Sequence, residues 1–217
     1  AEPNQPAPPL SGRPVNAPTR VAVDPRNGDV LVADGYGNAR VHRYSPEGGR
    51  LLASWGDTGT GPGEFNIVHD IAIDRDGWIY IADRENRRIQ VFDPNGRFEA
   101  RWSDFSRTAA VHVGASPTSG AEELVYVGEY FGGQVSAYHK AQRLGPRVSI
   151  LDRRGQVLAR LGDLPYGAEP GRFWAPHAIA TDSRGDIYVA EVSYAEFGRH
   201  LNPPSELRSL QKLVRQG

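Results

Sequence analysis

No cysteine and no methionine occur among the 217 residues. The missing thiols exclude disulfide scaffolds, iron–sulfur clusters, thiolate zinc sites and cysteine nucleophiles, so any metal must sit on histidine, carboxylate or carbonyl groups. A chain that starts at Ala1 without an initiator reads either as a mature exported protein, periplasmic or extracellular, or as a piece of a longer chain. No charge of one sign dominates: 25 Lys+Arg face 26 Asp+Glu, which leaves no basic footprint for nucleic acid. The longest apolar runs, such as residues 30–33, are far too short to span a bilayer, and no secretory signal opens the chain. Turn formers are plentiful instead. The 25 Gly and 17 Pro disfavour a helical bundle, while 39% apolar residues are enough for a core.

Self-similarity organises the rest. Val21-Ala-Val-Asp24, Gly28-Asp-Val-Leu-Val-Ala-Asp34, Arg40-Val-His-Arg-Tyr44 and Leu51-Leu-Ala-Ser-Trp55 return 50 residues later, Asp24 matching Asp74. The second copy reads Ile71-Ala-Ile-Asp74, Gly77-Trp-Ile-Tyr-Ile-Ala-Asp83, Arg88-Ile-Gln-Val-Phe92 and Phe98-Glu-Ala-Arg-Trp102. A looser third copy spans Val111 to Gly162, and a fourth begins at Ile179 and finishes with Leu210-Gln-Lys-Leu-Val-Arg-Gln-Gly217. Each copy holds short apolar or alternating runs bounded by Asp-x-x-Gly, Pro-Asn-Gly or Pro-Glu-Gly-Gly turns, the pattern of consecutive antiparallel hairpins. A four-stranded sheet repeated at this period buries both faces by radial stacking, which predicts an all-β chain, a β-propeller. The blades fall at 19–62, 63–106, 107–172 and 173–217, behind a Pro-rich segment 1–18. Four blades are visible and the expected ring has six. The fourth copy reaches Gly217 before an outer strand, so further blades ahead of Ala1 or another chain of an assembly are expected to cover that edge.

Aligning the blades on their innermost strand puts Thr19, His69, Ala109 and His177 at the entrance to the central channel. Histidine recurs in every second blade. Alternate blades of a six-bladed ring are related by about 120°, so three such histidines would converge on the axis as an open-sided zinc site, with the third outside this chain. The competing reading is two channel histidines that bind water and backbone. At the exit of the second strand, Ala33-Asp-Gly-Tyr36-Gly-Asn-Ala-Arg40 faces Ala82-Asp-Arg84-Glu-Asn-Arg-Arg88. The recurring Asp34, Asn38 and Arg40, like Asp83, Asn86 and Arg88, read as loop ties. Tyr36 and Arg84 differ between otherwise matching blades and are the candidate base and charge stabiliser, since a cation or metal beside a phenol favours its phenolate.

Residues 65–74 followed by Ile81-Ala-Asp-Arg-Glu-Asn-Arg-Arg-Ile-Gln-Val-Phe92 resemble NHL repeats. Residues 33–40, Ala82-Asp-Arg-Glu-Asn86 and Ala175-Pro-His177 resemble the peptidyl-α-hydroxyglycine α-amidating lyases, which are six-bladed propellers. The resemblance implies a zinc lyase that splits a peptidyl-α-hydroxyglycine into a peptide amide and glyoxylate. It gives His69 and His177 as zinc ligands, Tyr36 as the base and Arg84 as the stabiliser of developing charge. It also implies a structural calcium, whose acidic ligand position is Ala178 here, and it puts Gly37 where animal enzymes carry a cysteine.

His42 and Arg43 alternate with Val41 and Tyr44 and are expected on a solvent face, and His112 is expected to point away from the core. Two insertions, 130–145 and 193–208, are rich in aromatic and polar residues and are candidate docking loops for a protein partner. Two readings follow. One is a metal-dependent lyase acting on a peptide-like substrate; the other is a non-catalytic propeller serving as a protein-binding platform or as a subunit of a larger complex.

Overall fold

The first, second and fourth repeats turn on an aspartate between their first two strands. The Asp74 carboxylate accepts the N–H groups of Asp76 and Trp78 and the Tyr80 hydroxyl, while Gly77 supplies the left-handed residue of the turn at φ +86°. Asp182 does the same for Arg184, Asp186 and Tyr188, with Gly185 at φ +80°. These turns separate strands of four to nine residues. The computed structural model describes residues 15–47, 49–116, 122–130, 144–162 and 166–215. The chain divides into two units, residues 1–104 and 105–217.

The first unit holds β1 (Arg20–Val23), β2 (Val30–Asp34), β3 (Arg40–Tyr44) and β4 (Leu51–Trp55), an antiparallel sheet in chain order. A short parallel pair, β5 (Asp57–Thr58) and β6 (Glu64–Phe65), leads into a second sheet of β7 (Val68–Ile73), β8 (Ile79–Asp83), β9 (Arg88–Phe92) and β10 (Phe98–Trp102). In the second unit, β11 (Arg107–Ala115), β12 (Glu123–Tyr130), β13 (Arg147–Leu151) and β14 (Val157–Leu161) form a third sheet. The fourth sheet, β15 (Pro176–Thr181), β16 (Ile187–Glu191) and β17 (Leu210–Leu213), has three strands among the described residues. Between its last two strands lie a helical turn, Ser193–Glu196, and a 3₁₀ turn, Gly198–His200.

Within the first unit, Leu31, Val41, Phe65, Ile71, Ile79 and Phe92 form one buried cluster. Each such side chain contributes about 1.5–3 kcal/mol on leaving water. In the second unit, Tyr126, Val148, Phe173, Ile179 and Val189 do the same. The expected solvent face of β3 is not there. His42 is 8% exposed, with Nε2 3.3 Å from Asp34, and the Arg43 side chain is 12% exposed, 3.8 Å from Asp29. The strand alternates, but both faces of an inner strand are covered, so alternation between apolar and polar residues marks a polar network here and not water. His112 does leave the core, to a 3.0 Å contact with Thr181 Oγ1. Of the expected docking loops, 193–208 is described, whereas 131–143 lies outside the described residues.

Candidate functional site

One carboxylate closes the second strand of every sheet: Asp34, Asp83, Glu129 and Glu191, all buried. Each accepts the N–H of a residue just ahead of the first strand, from Asn16, Asn66, Ser106 and Trp174 respectively. Each also meets a third-strand side chain, His42, Gln90, Ser149 or Gln211, and Asp83 and Glu129 meet a second, Arg88 and Arg147. The donors lie three residues before Thr19, His69, Ala109 and His177, so the same anchor fixes the approach to every first strand. At the last three of these positions the ladder skips a residue. Val68 and Asp70 pair with Asp83 and Ala82, leaving His69 as the extra residue, and Ala109 and His177 are skipped likewise. A bulge turns a side chain out of the alternation and is a common device beside a site.

The loops after Asp34, Asp83 and Glu191 dock on the same approach segment. Tyr36 and Gly37 donate N–H bonds to Ala17 and Asn16; Arg84 and Glu85 donate to Ile67 and Asn66; Val192 donates to Ala175. Tyr36, Arg84 and Val192 thus hold equivalent places, with Gly35 as one extra residue in the first sheet. Ile67 sits at φ +65°, a strained value for a β-branched residue, and presents its carbonyl to Arg84. Asn38 and Asn86 tie their loops to Asp34 and Asp83, and Arg88 bonds Asp83, whereas Arg40 bonds Ser54 and Gly56 instead.

Three of the residues expected at a site meet in the first unit. The Tyr36 hydroxyl lies 3.0 Å from His69 Nε2, and the rings stand edge to face at 85°. Arg84 Nη1 donates to the Tyr36 hydroxyl at 3.3 Å, with its guanidinium carbon 5.5 Å from the ring centroid. Glu85 accepts Arg84 Nε at 2.8 Å and orients that guanidinium. His69 is 6% exposed. A phenol with an imidazole on one side and a guanidinium on the other can give up or take a proton while the cation stabilises its anionic form.

His177 lies in the second unit, its ring 6.4 Å from that of Tyr130 and edge-on at 71°. Zinc needs three or four donors. Among the described residues no group of three or more His, Asp or Glu side chains is disposed to hold a metal ion. The imidazoles expected to bind zinc fall one in each unit, so the described residues supply donors of the right kind without a full set. Ala178, at the expected calcium position, is a methyl in the β15–β16 ladder, paired with Ala190. Sequence reasoning missed Tyr130. The insertion 130–145 begins at Tyr130 in the sequence, and the signal for this residue is its place directly after the Glu129 carboxylate.

The NHL repeat family matches residues 16–44 and 65–92, the first two sheets. Peptidyl-glycine alpha-amidating monooxygenase of Mus musculus is 42% identical over 186 residues, covering 81% of this chain and 17% of that protein. Peptidyl-alpha-hydroxyglycine alpha-amidating lyase 1 of Drosophila melanogaster is 31% identical over 202 residues, 85% of this chain and 35% of that protein. This is an NHL-repeat β-propeller resembling the amidating lyases. The crystal structure of the RRP9 WD40 repeats aligns with a TM-score of 0.58 at 16% identity, over 84% of this chain and 47% of that one, which supports the propeller fold. The NHL propeller spans about a fifth of the length of the first monooxygenase relatives. No helix among its described residues is long and apolar enough to cross a membrane.

Proposed function

We propose that the chain is the lyase type of NHL propeller, one that cleaves the carbon–nitrogen bond of an N-acyl-α-hydroxyglycine to give an amide and glyoxylate. The contact of Tyr36 with both His69 and Arg84 carries this reading. The Tyr36 oxygen takes the proton of the substrate hydroxyl, whose electron pair closes the carbonyl of glyoxylate. The carbon–nitrogen bonding pair leaves on the amide nitrogen, which takes that proton back from the Tyr36 hydroxyl and restores the base. Arg84 offsets the negative charge that develops beside the phenol, and Glu85 holds Arg84 in place. The resemblance assigns the imidazoles of His69 and His177 to zinc, which when bound acidifies a coordinated hydroxyl. Export to the periplasm or the extracellular space belongs to the same reading.

The test is glyoxylate release from an N-acyl-α-hydroxyglycine by purified protein. Tyr36→Phe is expected to lower the rate about 10²- to 10⁴-fold, the usual size of a general base. Release that is absent, or unchanged in Tyr36→Phe, refutes the assignment. A second reading, a binding platform, draws on the 193–208 insertion, where Tyr194 is 43% and Leu201 45% exposed. It is favoured if Tyr194→Ala abolishes co-purification of a protein partner from the native source while glyoxylate release is absent.

A further inference from the structure

The fourth sheet ends on an open strand beside a cavity. β17 pairs only with β16 among the described residues, whereas each of the other three sheets has a fourth, outer strand. The Glu191 N–H donates to Ser209 across that pair, so by alternation the Leu210 and Lys212 amides point away from β16. Lys212, the charged residue of the strand, does not guard the edge, because it is drawn to 2.8 Å from Asp186 and over the Tyr188 ring. Beside the strand lies a cavity of about 530 Å³, walled by Tyr126, Ile150, Leu161, Phe173, Ile187 and Leu213. We propose that β17 and this cavity bind an extended segment of a partner protein, which adds antiparallel to β17 and buries one aromatic side chain in the cavity.

The first unit carries the filled counterpart of this place. Gln90 and Gln211 make the same bond, to the anchors Asp83 and Glu191, so Leu213 holds the position of Phe92 two residues on. Gly56 and Gly162 sit at φ +105° and +100°, packed on Phe65 and Phe173, so Leu161 holds the position of Trp55. In the first unit, Phe92 pairs across strands with Phe98 of β10, the rings edge to face and 5.9 Å apart, and Trp55 lies 6.2 Å from Phe92 on the neighbouring sheet. An aromatic side chain from the outer strand thus helps to fill the space between the two sheets. In the second unit, leucines stand for Phe92 and Trp55, and no described residue stands for Phe98, which leaves the cavity. The partner segment takes the role of Phe98: its main chain pairs with the open amides and carbonyls, and its ring gives selectivity. Residues 1–14 do not suit that role, since they hold five prolines and no aromatic residue, and proline cannot donate to a ladder.

The test adds an acetylated and amidated peptide with the sequence of residues 97–102, which contains β10, to the full chain and follows the β17 amides and the Tyr126 ring by NMR. The expected result is saturable binding in which the Leu210 and Lys212 amides gain protection from exchange and the Tyr126 ring signal shifts. Phe98→Ala in the peptide is expected to weaken binding about tenfold or more, the loss typical of an aromatic anchor. Leu161→Trp in the protein, which places the first unit's residue in the cavity, is expected to weaken it to a similar degree. Binding that does not saturate, or that is unchanged by the peptide's alanine, overturns the proposal. So does slow exchange of the Leu210 and Lys212 amides in the chain alone, which would mean that the chain already covers its own edge. The peptide comparison needs no altered protein, so it decides even if Leu161→Trp does not fold. The surface shares no residue with the Tyr36 cluster, and these results stand or fall apart from glyoxylate release.

Discussion

Replacing Arg88 with leucine is expected to cost about 3–5 kcal/mol, the range for removing one partner of a buried ion pair. Arg88 is 4% exposed; its Nε meets Asp83 at 2.6 Å, and its other nitrogens bond the carbonyls of Thr60, Gly61 and Glu64. One side chain thus neutralises the anchor carboxylate and clamps the 60–64 connection onto β9. Burial pushes the Asp83 carboxyl above its ordinary value of 3.8, against the opposing pull of the Asn66 N–H, Asn86 and Arg88. Leucine removes the cation and lets burial act more fully. Its own burial returns about 1–2 kcal/mol, offset by the loss of the Arg88 bond at three carbonyls, of which Gly61 and Glu64 keep the Glu64 N–H and the Gln90 side chain. The sign with pH follows. A carboxyl whose folded pKa is raised binds its proton more readily folded than unfolded, so the variant loses stability as pH rises above 3.8 and recovers as pH falls. Arg40→Leu is the control. Arg40 occupies the matching place but bonds Ser54 and Gly56 and not Asp34, so about 1–2 kcal/mol is expected, without that pH trend. Amide exchange of β9 in Arg88→Leu and of β3 in Arg40→Leu reads each locally. A loss in Arg88→Leu no larger than in Arg40→Leu at pH 7, or one that grows toward pH 4, refutes the reasoning.

Gly35→Ala tests the Tyr36 loop by shape alone. An added Cβ would lie 1.9 Å from the Val68 carbonyl oxygen, a backbone atom that cannot swing aside. About 1–3 kcal/mol of destabilisation is expected, with loss of the Tyr36–His69 contact, visible as a changed His69 ring spectrum; an unchanged spectrum contradicts the packing. In the fourth sheet, the Asp182 carboxyl is held down to about 2: burial opposes this, but the N–H groups of Asp186 and Arg184, the Arg184 guanidinium and the Tyr188 hydroxyl outweigh it. A lowered folded pKa stabilises above the ordinary 3.8 and ceases to as pH falls through about 2, so the Tyr188 ring signal should move in that window and Asp182→Asn should abolish the movement. Loosening that begins at pH 5 would count against it.

The sheets were legible because each is bounded by a turn with residue-specific chemistry. Asp74 and Gly77, or Asp182 and Gly185, announce their hairpins in the sequence, and a period of fifty residues then leaves few folds that bury both faces. Three features were not legible. The bulges at His69, Ala109 and His177 are main-chain events with no residue signature, although the offset of each histidine from its β-branched strand residue marked the place. The burial of His42 and Arg43 defeats alternation, because an inner strand covered on both faces can carry a polar side chain only by partnering it, as His42 does with Asp34. Tyr130 was hidden because its sheet uses Glu129 where the first two use aspartate, and because the residues after it form an insertion.

These features reduce to one division of labour. The carboxylate at the end of each second strand gathers the approach N–H and third-strand side chains, and in the first, second and fourth sheets the approach carbonyls receive the loop that follows. All of those bonds use the backbone or the anchor, and none uses the side chain of the next residue. That residue can therefore change without disturbing the sheet, and it does: Tyr36, Arg84, Tyr130 and Val192. Where the fold leaves a position free and its side chain nonetheless meets a histidine set on a bulge, as Tyr36 meets His69 and Tyr130 meets His177, packing alone does not explain the choice of residue. Val192 is the counterexample that sharpens the point. It packs beside Ala175 and Tyr130 as a plain apolar wall, which is what the position becomes when no chemistry is asked of it.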